Sequence, residues 1–256
     1  TNGTLELNTT GQSVAVTTGP APFDYSTPDR RNFFFVRATV DLSVTVGAFT
    51  ASLGGAFAFE RTTLTVNGAA TNVFKAAIAD GHVVLGLGAG GPTVSATGIT
   101  GAILVNASGI AGKLEVGNIS ITGVTGLINS SVTNATLELN NTNAASSATI
   151  GGVSFDYSTA DKFNFIAVTG HLDLSVTVGT VSTVITGTFG FERTTTTVNG
   201  APNTPIIRVF AQDASTSLTI GAPADGVQVA FKQISGALLL KSGGAAGKLT
   251  IGQVSV

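Results

Sequence analysis

In Val40-Asp-Leu-Ser-Val-Thr-Val46 the apolar residues occupy positions 40, 42, 44 and 46, and Asp41, Ser43 and Thr45 fill the places between. Successive side chains of an extended strand point to opposite sides, so a period of two predicts a strand with one apolar and one polar face. Leu172, Leu174, Val176 and Val178 repeat the pattern, with His171, Asp173, Ser175 and Thr177 opposite. The same alternation runs through residues 5–7, 57–59, 114–121, 217–220 and 227–231. No segment carries the apolar stripe of an amphipathic helix.

Turn residues separate these runs. Asn67-Gly68 and Asn199-Gly200 lie between strand-like segments, and Asn-Gly supplies the positive backbone angles of tight hairpins. Asp80-Gly81 and Asp225-Gly226 are further turn candidates. Strand segments broken by glycine every roughly 8 to 15 residues predict an all-β, mainly antiparallel fold.

The alternation is written twice. Asn2-Gly-Thr-Leu-Glu-Leu-Asn8 returns as Asn134-Ala-Thr-Leu-Glu-Leu-Asn140, and Phe23-Asp-Tyr-Ser-Thr-Pro-Asp29 as Phe155-Asp-Tyr-Ser-Thr-Ala-Asp161. Phe57-Ala-Phe-Glu-Arg-Thr-Thr63 returns as Phe189-Gly-Phe-Glu-Arg-Thr-Thr195, still 132 residues on. Later the offset becomes 135, aligning Ala111-Gly-Lys-Leu114 with Ala246-Gly-Lys-Leu249. Two units follow, 1–132 and 133–256. The second stops before any counterpart of residues 122–131, and the repeat phase predicts a piece of a longer array. Residues 119–139 hold neither a proline-rich spacer nor a charge run. The expected architecture is therefore two sandwich- or roll-like units stacked into an elongated array. The alternatives are a continuous β-solenoid and independent sandwiches on a flexible linker.

Composition narrows the function classes. Twelve basic and 14 acidic residues give a net charge of -2, which offers no electrostatic basis for nucleic acid or anionic membranes. Arg30, Arg31 and Arg37 flank Phe33-Phe-Phe35, a basic-aromatic mixture that suits single strands. The second unit has Lys162, Phe163 and Thr169 there, so the cluster reads as a strand margin with solvated cations. Charged residues make up only 10% of the chain, yet Gly, Thr, Ser or Asn interrupts every apolar stretch before the roughly 18 to 20 residues of a spanning helix. The absence of cysteine removes disulfides, thiol catalysis and cysteine-ligated metal.

Candidate chemistry is sparse. Asp24 with Asp29, and Asp156 with Asp161, place paired carboxylates that suit calcium, a hard ion that takes oxygen ligands; Asp, Ser and Thr also form such turns on their own. Asp41, Asp173, Glu60-Arg61 and Glu192-Arg193 interrupt neutral strands and read as exposed-face charges. His82 and His171 have no histidine counterpart in the other unit, and no Gly-x-Ser-x-Gly, His-Glu-x-x-His or phosphate-loop motif occurs. Asn-x-Ser/Thr sequons at Asn2, Asn8, Asn106, Asn118, Asn129, Asn134 and Asn140 hint at exposed turns. No catalytic residue is assigned, and an enzyme is not expected.

The alternating strand at 40–46, the Phe-x-Phe-Glu-Arg-Thr-Thr segment and Gly101-Ala-Ile-Leu-Val105 resemble the tandem repeats of very large bacterial exported and cell-surface proteins. The resemblance covers the whole chain and rests on repeat style. It implies an extracellular scaffold: a stalk, filament, matrix or adhesin component whose partners are further copies of the repeat and a surface or glycan target. It implies no cofactor and no catalytic residues. Two other readings stand beside it, a calcium- or carbohydrate-binding β module and a secreted hydrolase built around His82 or His171.

Overall fold

The alternating segments all lie in strands of the computed structural model, which describes residues 3–19, 22–66, 69–87, 91–124, 127–150, 152–198, 201–221, 226–241 and 244–256. The first unit contributes β1 (Gly3–Asn8), β2 (Val14–Val16), β3 (Phe23–Tyr25), β4 (Phe33–Val46), β5 (Phe49–Val66), β6 (Ala69–Leu87), β7 (Thr93–Asn106) and β8 (Gly109–Thr122). β9 (Leu127–Asn140), β10 (Ser146–Ile150), β11 (Val153–Tyr157), β12 (Phe165–Val178), β13 (Val181–Val198), β14 (Ala201–Ile220), β15 (Val227–Lys241) and β16 (Gly244–Ser255) follow. Short 3₁₀ turns at Pro28–Arg30 and Ala160–Lys162 lead into β4 and β12.

Twelve of these strands form one open antiparallel sheet in the order β1-β4-β5-β6-β7-β8-β9-β12-β13-β14-β15-β16. Each long strand pairs with the next long strand of the chain, so local pairing alone generates the meander. The pairs β2–β3 and β10–β11 stand outside it as small hairpins. The sheet runs unbroken from one unit into the other: β8 pairs with β9, and β9 pairs with β12. The sequence boundary at 132/133 falls inside β9.

Register sorts the side chains into two faces. Val36 lies opposite Phe59, Phe59 opposite Ala76 and Ala76 opposite Ile103, so these residues share one face with Leu42 and Leu53. The other face carries Thr39, Asp41, Ser43, Glu60, Lys75 and, in the second unit, His171, Asp173 and Glu192. No second layer covers the apolar face among the described residues: Phe59 is 51% exposed, Phe74 59% and Leu42 58%. The accessible surface of 14741 Å² exceeds by roughly 4,000 Å² the ~10,400 Å² of a compact protein of this mass. The expected all-β, antiparallel class holds, and the layering differs from separate sandwiches. Periodicity states which side of a strand is apolar and carries no information about what covers it.

Asp80-Gly81 is a β-bulge within β6 rather than a hairpin turn. Asp80 has φ 51° and the register shifts between Ile78 and Gly81. Asp213, φ 50°, sits at the matching irregularity in β14. Opposite each bulge is a glycine, Gly55 or Gly187, with φ 144°. A Cβ on Gly187 would lie 2.5 Å from the Cα of Ala214, so both conformation and close backbone approach require glycine there. Such bulges let strands of 18 to 20 residues pass through turn-like sequences without ending. Asn67-Gly68, Asn199-Gly200 and Asp225 lie outside the described residues.

The core is small and bridges the junction. Ile150, Phe155 and Tyr157 of the β10–β11 hairpin pack on Ala77, Ala102, Leu104 and Ala111 of the first unit and on Phe165 of the second. The sheet beneath the hairpin presents alanine where the polar face elsewhere has Thr, Ser and charge, which lets the hairpin approach closely.

Candidate functional site

The repeated Leu-Glu-Leu-Asn motif ends in a buried asparagine. Asn140 Nδ2 donates to the carbonyls of Ala144 and Lys162, both at 3.0 Å. Its Oδ1 accepts from the Thr142 N–H at 3.1 Å and hydroxyl at 2.7 Å. Asn8 makes the same four bonds to Gln12, Arg30 and Thr10. One side chain therefore satisfies donors and acceptors at both ends of the excursion between two sheet strands, a full complement for a buried amide. Asn8 and Asn140 are 3% and 0% exposed. The sequon reading is corrected at both positions, because the amide nitrogen is enclosed and occupied.

The 3₁₀ turn is fastened to the sheet by the motif Glu-Arg-Thr-Thr. Thr62 donates to the Asp29 carbonyl at 2.5 Å and Thr194 to the Asp161 carbonyl at 2.6 Å. Within the same motif Glu60 pairs with Lys75 at 2.7 Å and Glu192 pairs with Arg208, while Arg61 and Arg193 fall on the apolar side of the same strands. Adjacent Glu and Arg thus serve opposite faces, as a regular strand requires.

Asp24 and Asp156 each accept the N–H two residues on, Ser26 at 2.8 Å and Ser158 at 3.0 Å. Hydrogen bonds from Ser26, its side chain first and then its backbone, hold the Asp24 carboxyl below the usual carboxylate range, with Arg30 adding to the effect. Asp29 and Asp161 lie in the 3₁₀ turns and contribute their carbonyls. The described residues contain no group of three or more His, Cys, Asp or Glu side chains arranged to hold a metal. Asp24 and Asp156 act as turn formers in this geometry, and Asp29 and Asp161 serve through their backbone carbonyls.

The hairpins carry the aromatic residues of Phe-Asp-Tyr. Phe155 and Tyr157 stack with centroids 5.3 Å apart, and Phe23 and Tyr25 at 5.0 Å. Arg30 lies 4.7 Å from the Phe33 ring, and Lys162 Nζ lies 3.8 Å from the Phe165 ring. The cation at position 30/162 is therefore a shared cation–π contact. This replaces the reading of the Arg30/Lys162 position as a merely solvated margin, and only Arg31 and Arg37 lack a basic counterpart. Tyr157 reaches across the unit junction and donates to the Gly112 carbonyl at 2.7 Å. Burial, then the Glu138 charge, raises its phenol above the ordinary tyrosine range.

Both histidines contact the repeated aspartate of the polar face, from different strands. His82 of β6 lies 3.9 Å from Asp41, and His171 of β12 lies 3.7 Å from Asp173. Thr186 donates to Asp173 and Thr188 lies 3.3 Å from His171 Nδ1. These groups stand on an open strand surface whose neighbouring N–H groups belong to the sheet ladder. Apolar grooves lie elsewhere: one on the apolar face between Phe34, Phe59, Phe74 and Ile103, and one in the second unit between Phe189, Val209, Leu238 and Leu249.

No family model matches the chain, and neither a curated protein nor a solved structure matches it. The sequence signals that could have revealed the asparagine anchor were present, since Leu-Glu-Leu-Asn is identical in both copies. The hairpin's seat on the preceding unit had no local signal, because it joins residues 45 positions apart.

Proposed function

We propose that this chain is a structural repeat module of an extracellular or cell-surface assembly, one that extends a stalk, filament or matrix by continuing its β-sheet. The observation that carries this reading is the junction, where β8 pairs with β9 and the second hairpin seats on the first unit. A module built this way adds strands and covering hairpins together, so each repeat supplies the surface on which its neighbour rests. The absence of cysteine and the Thr- and Ser-rich polar face suit such a role in an oxidising, aqueous setting. Adhesion to a surface or glycan would use the same polar face.

Calcium has no geometric support among the described residues, and the histidine–aspartate contacts lie on open sheet without a pocket around them. Neither the metal-binding nor the hydrolytic reading gains a favouring observation. Negative-stain electron microscopy of the purified chain tests the structural reading. Elongated or laterally associated particles are expected, and a uniform field of compact, dispersed monomers would overturn it.

A further inference from the structure

The two outer edges of the sheet carry, residue for residue, the two halves of a pairing that the molecule already makes once inside itself. At the junction Ala111, Gly112, Lys113 and Leu114 of β8 lie opposite Asn140, Leu139, Glu138 and Leu137 of β9. Ala246-Gly-Lys-Leu249 of β16 and Leu5-Glu-Leu-Asn8 of β1 repeat those segments without a substitution. Among the described residues β16 is bonded to β15 alone and β1 to β4 alone, and they form opposite ends of the sheet.

Resting on the reading of the chain as an array module, we infer that β16 of one copy pairs with β1 of a second copy, with Lys248 opposite Glu6 and Leu249 opposite Leu5. Three features besides the strand edges agree. Every residue of β16 is exposed, whereas its counterpart β8 has Ala111 wholly buried. The hairpin cradle is covered in the first unit and open in the second: Leu104 is 4% exposed, and its counterpart Leu239 is 39%. The first hairpin leaves Phe23 38% exposed against 5% for its counterpart Phe155, while Tyr25 is already 6% exposed. Tyr25 would then donate to the partner's Gly247 carbonyl, as Tyr157 donates to Gly112.

One docking event therefore completes an edge, a hydrophobic seat and a buried hydroxyl contact. The contact is head-to-tail, since residue 6 meets residue 248 and never itself. It propagates as an open filament or closes as a ring according to the rotation per copy.

The absence of cysteine makes disulfide trapping a clean test. Glu6→Cys and Lys248→Cys variants of the 256-residue chain are mixed, oxidised and separated without reductant. The mixed dimer is expected to exceed either symmetric dimer by about tenfold or more, because cross-strand neighbours meet disulfide geometry and distant residues do not. The Lys113→Cys, Glu138→Cys double variant should cross-link within one chain, which verifies both the fold and the junction register. Symmetric dimers, or no dimer while this internal control closes, would overturn the inference. A Glu6→Cys, Lys248→Cys chain that cross-links to itself would also overturn it, in favour of a closed sheet. Elongated particles under the microscope without the mixed disulfide would refute this contact and leave the array reading standing on another surface. Dispersed monomers would refute both.

Discussion

Tyr157 shows how much of the repeat's meaning sits in single side chains. Its ring is 1% exposed and its hydroxyl is spent on the Gly112 carbonyl of the preceding unit. Ionisation would place an unpartnered negative charge beside Glu138, so burial first and that charge second keep the phenol protonated beyond the ordinary tyrosine range. The sign of the linkage follows: a raised folded value means that this contribution to stability is fully present below about pH 10, where a free tyrosine ionises. It is lost as pH rises from there through the folded value. Thermal melting followed by circular dichroism should therefore fall with increasing pH above that point, and less steeply in Tyr157→Phe. An ultraviolet titration should lose its late-ionising phenol in the same variant, and identical titrations of the two proteins would contradict this account. The alternating strand at 40–46 could be read from the sequence, but the partner of Tyr157 could not. Periodicity reports neighbours two residues apart, and this bond spans a whole strand pair and its connection.

At the scale of the element, each excursion from the sheet is a hairpin and a 3₁₀ turn held at three points. Asparagine closes the two ends, threonine of Glu-Arg-Thr-Thr fastens the 3₁₀ turn, and a cation caps the aromatic stack. All three recur in both copies. Asn140→Ala would leave the carbonyls of Ala144 and Lys162 and the Thr142 donors without their shared partner in a dry site. Four net hydrogen bonds, partly recovered by rearrangement and water, correspond to a loss of about 3 kcal/mol. Urea denaturation should register that loss by its midpoint, and a change below about 0.5 kcal/mol, the size of an ordinary surface substitution, would exclude the anchoring role. The sequence showed these residues as repeated and concealed their work, because Asn-Asn-Thr also spells a glycosylation sequon. The bulge at Asp80 was hidden for a related reason. Asp-Gly favours positive φ whether the chain reverses or merely bends, and only the strand pairing on either side distinguishes the two.

Over the described residues the molecule is a sheet one layer thick over most of its area, and its main buried cluster lies where a hairpin crosses from one unit to the other. Its sequence is patterned as though a second layer existed, and the surface excess over a compact protein measures that unmet demand. Contiguous apolar patches on soluble monomers seldom exceed a few hundred Å², so this face is a contact surface of a different order from a scattered exposed leucine. Joining copies edge to edge leaves it uncovered, since strand addition lengthens the sheet without adding a layer. Two kinds of association should consequently be separable by solvent. Burial of the apolar face strengthens in excluded, kosmotropic salt, whereas edge pairing rests on main-chain hydrogen bonds that such salt strengthens far less. Sedimentation velocity in rising ammonium sulfate should reveal growing face-to-face species, and the sequence-neutral dye ANS should bind the monomer fraction while its circular dichroism remains that of folded β-sheet. Phe59→Thr with Phe74→Thr removes two of the most exposed rings from one groove and should lower both dye binding and salt-driven association without touching β1 or β16. A monodisperse chain that ignores both the dye and the salt would mean that the apolar face is already covered within the single molecule.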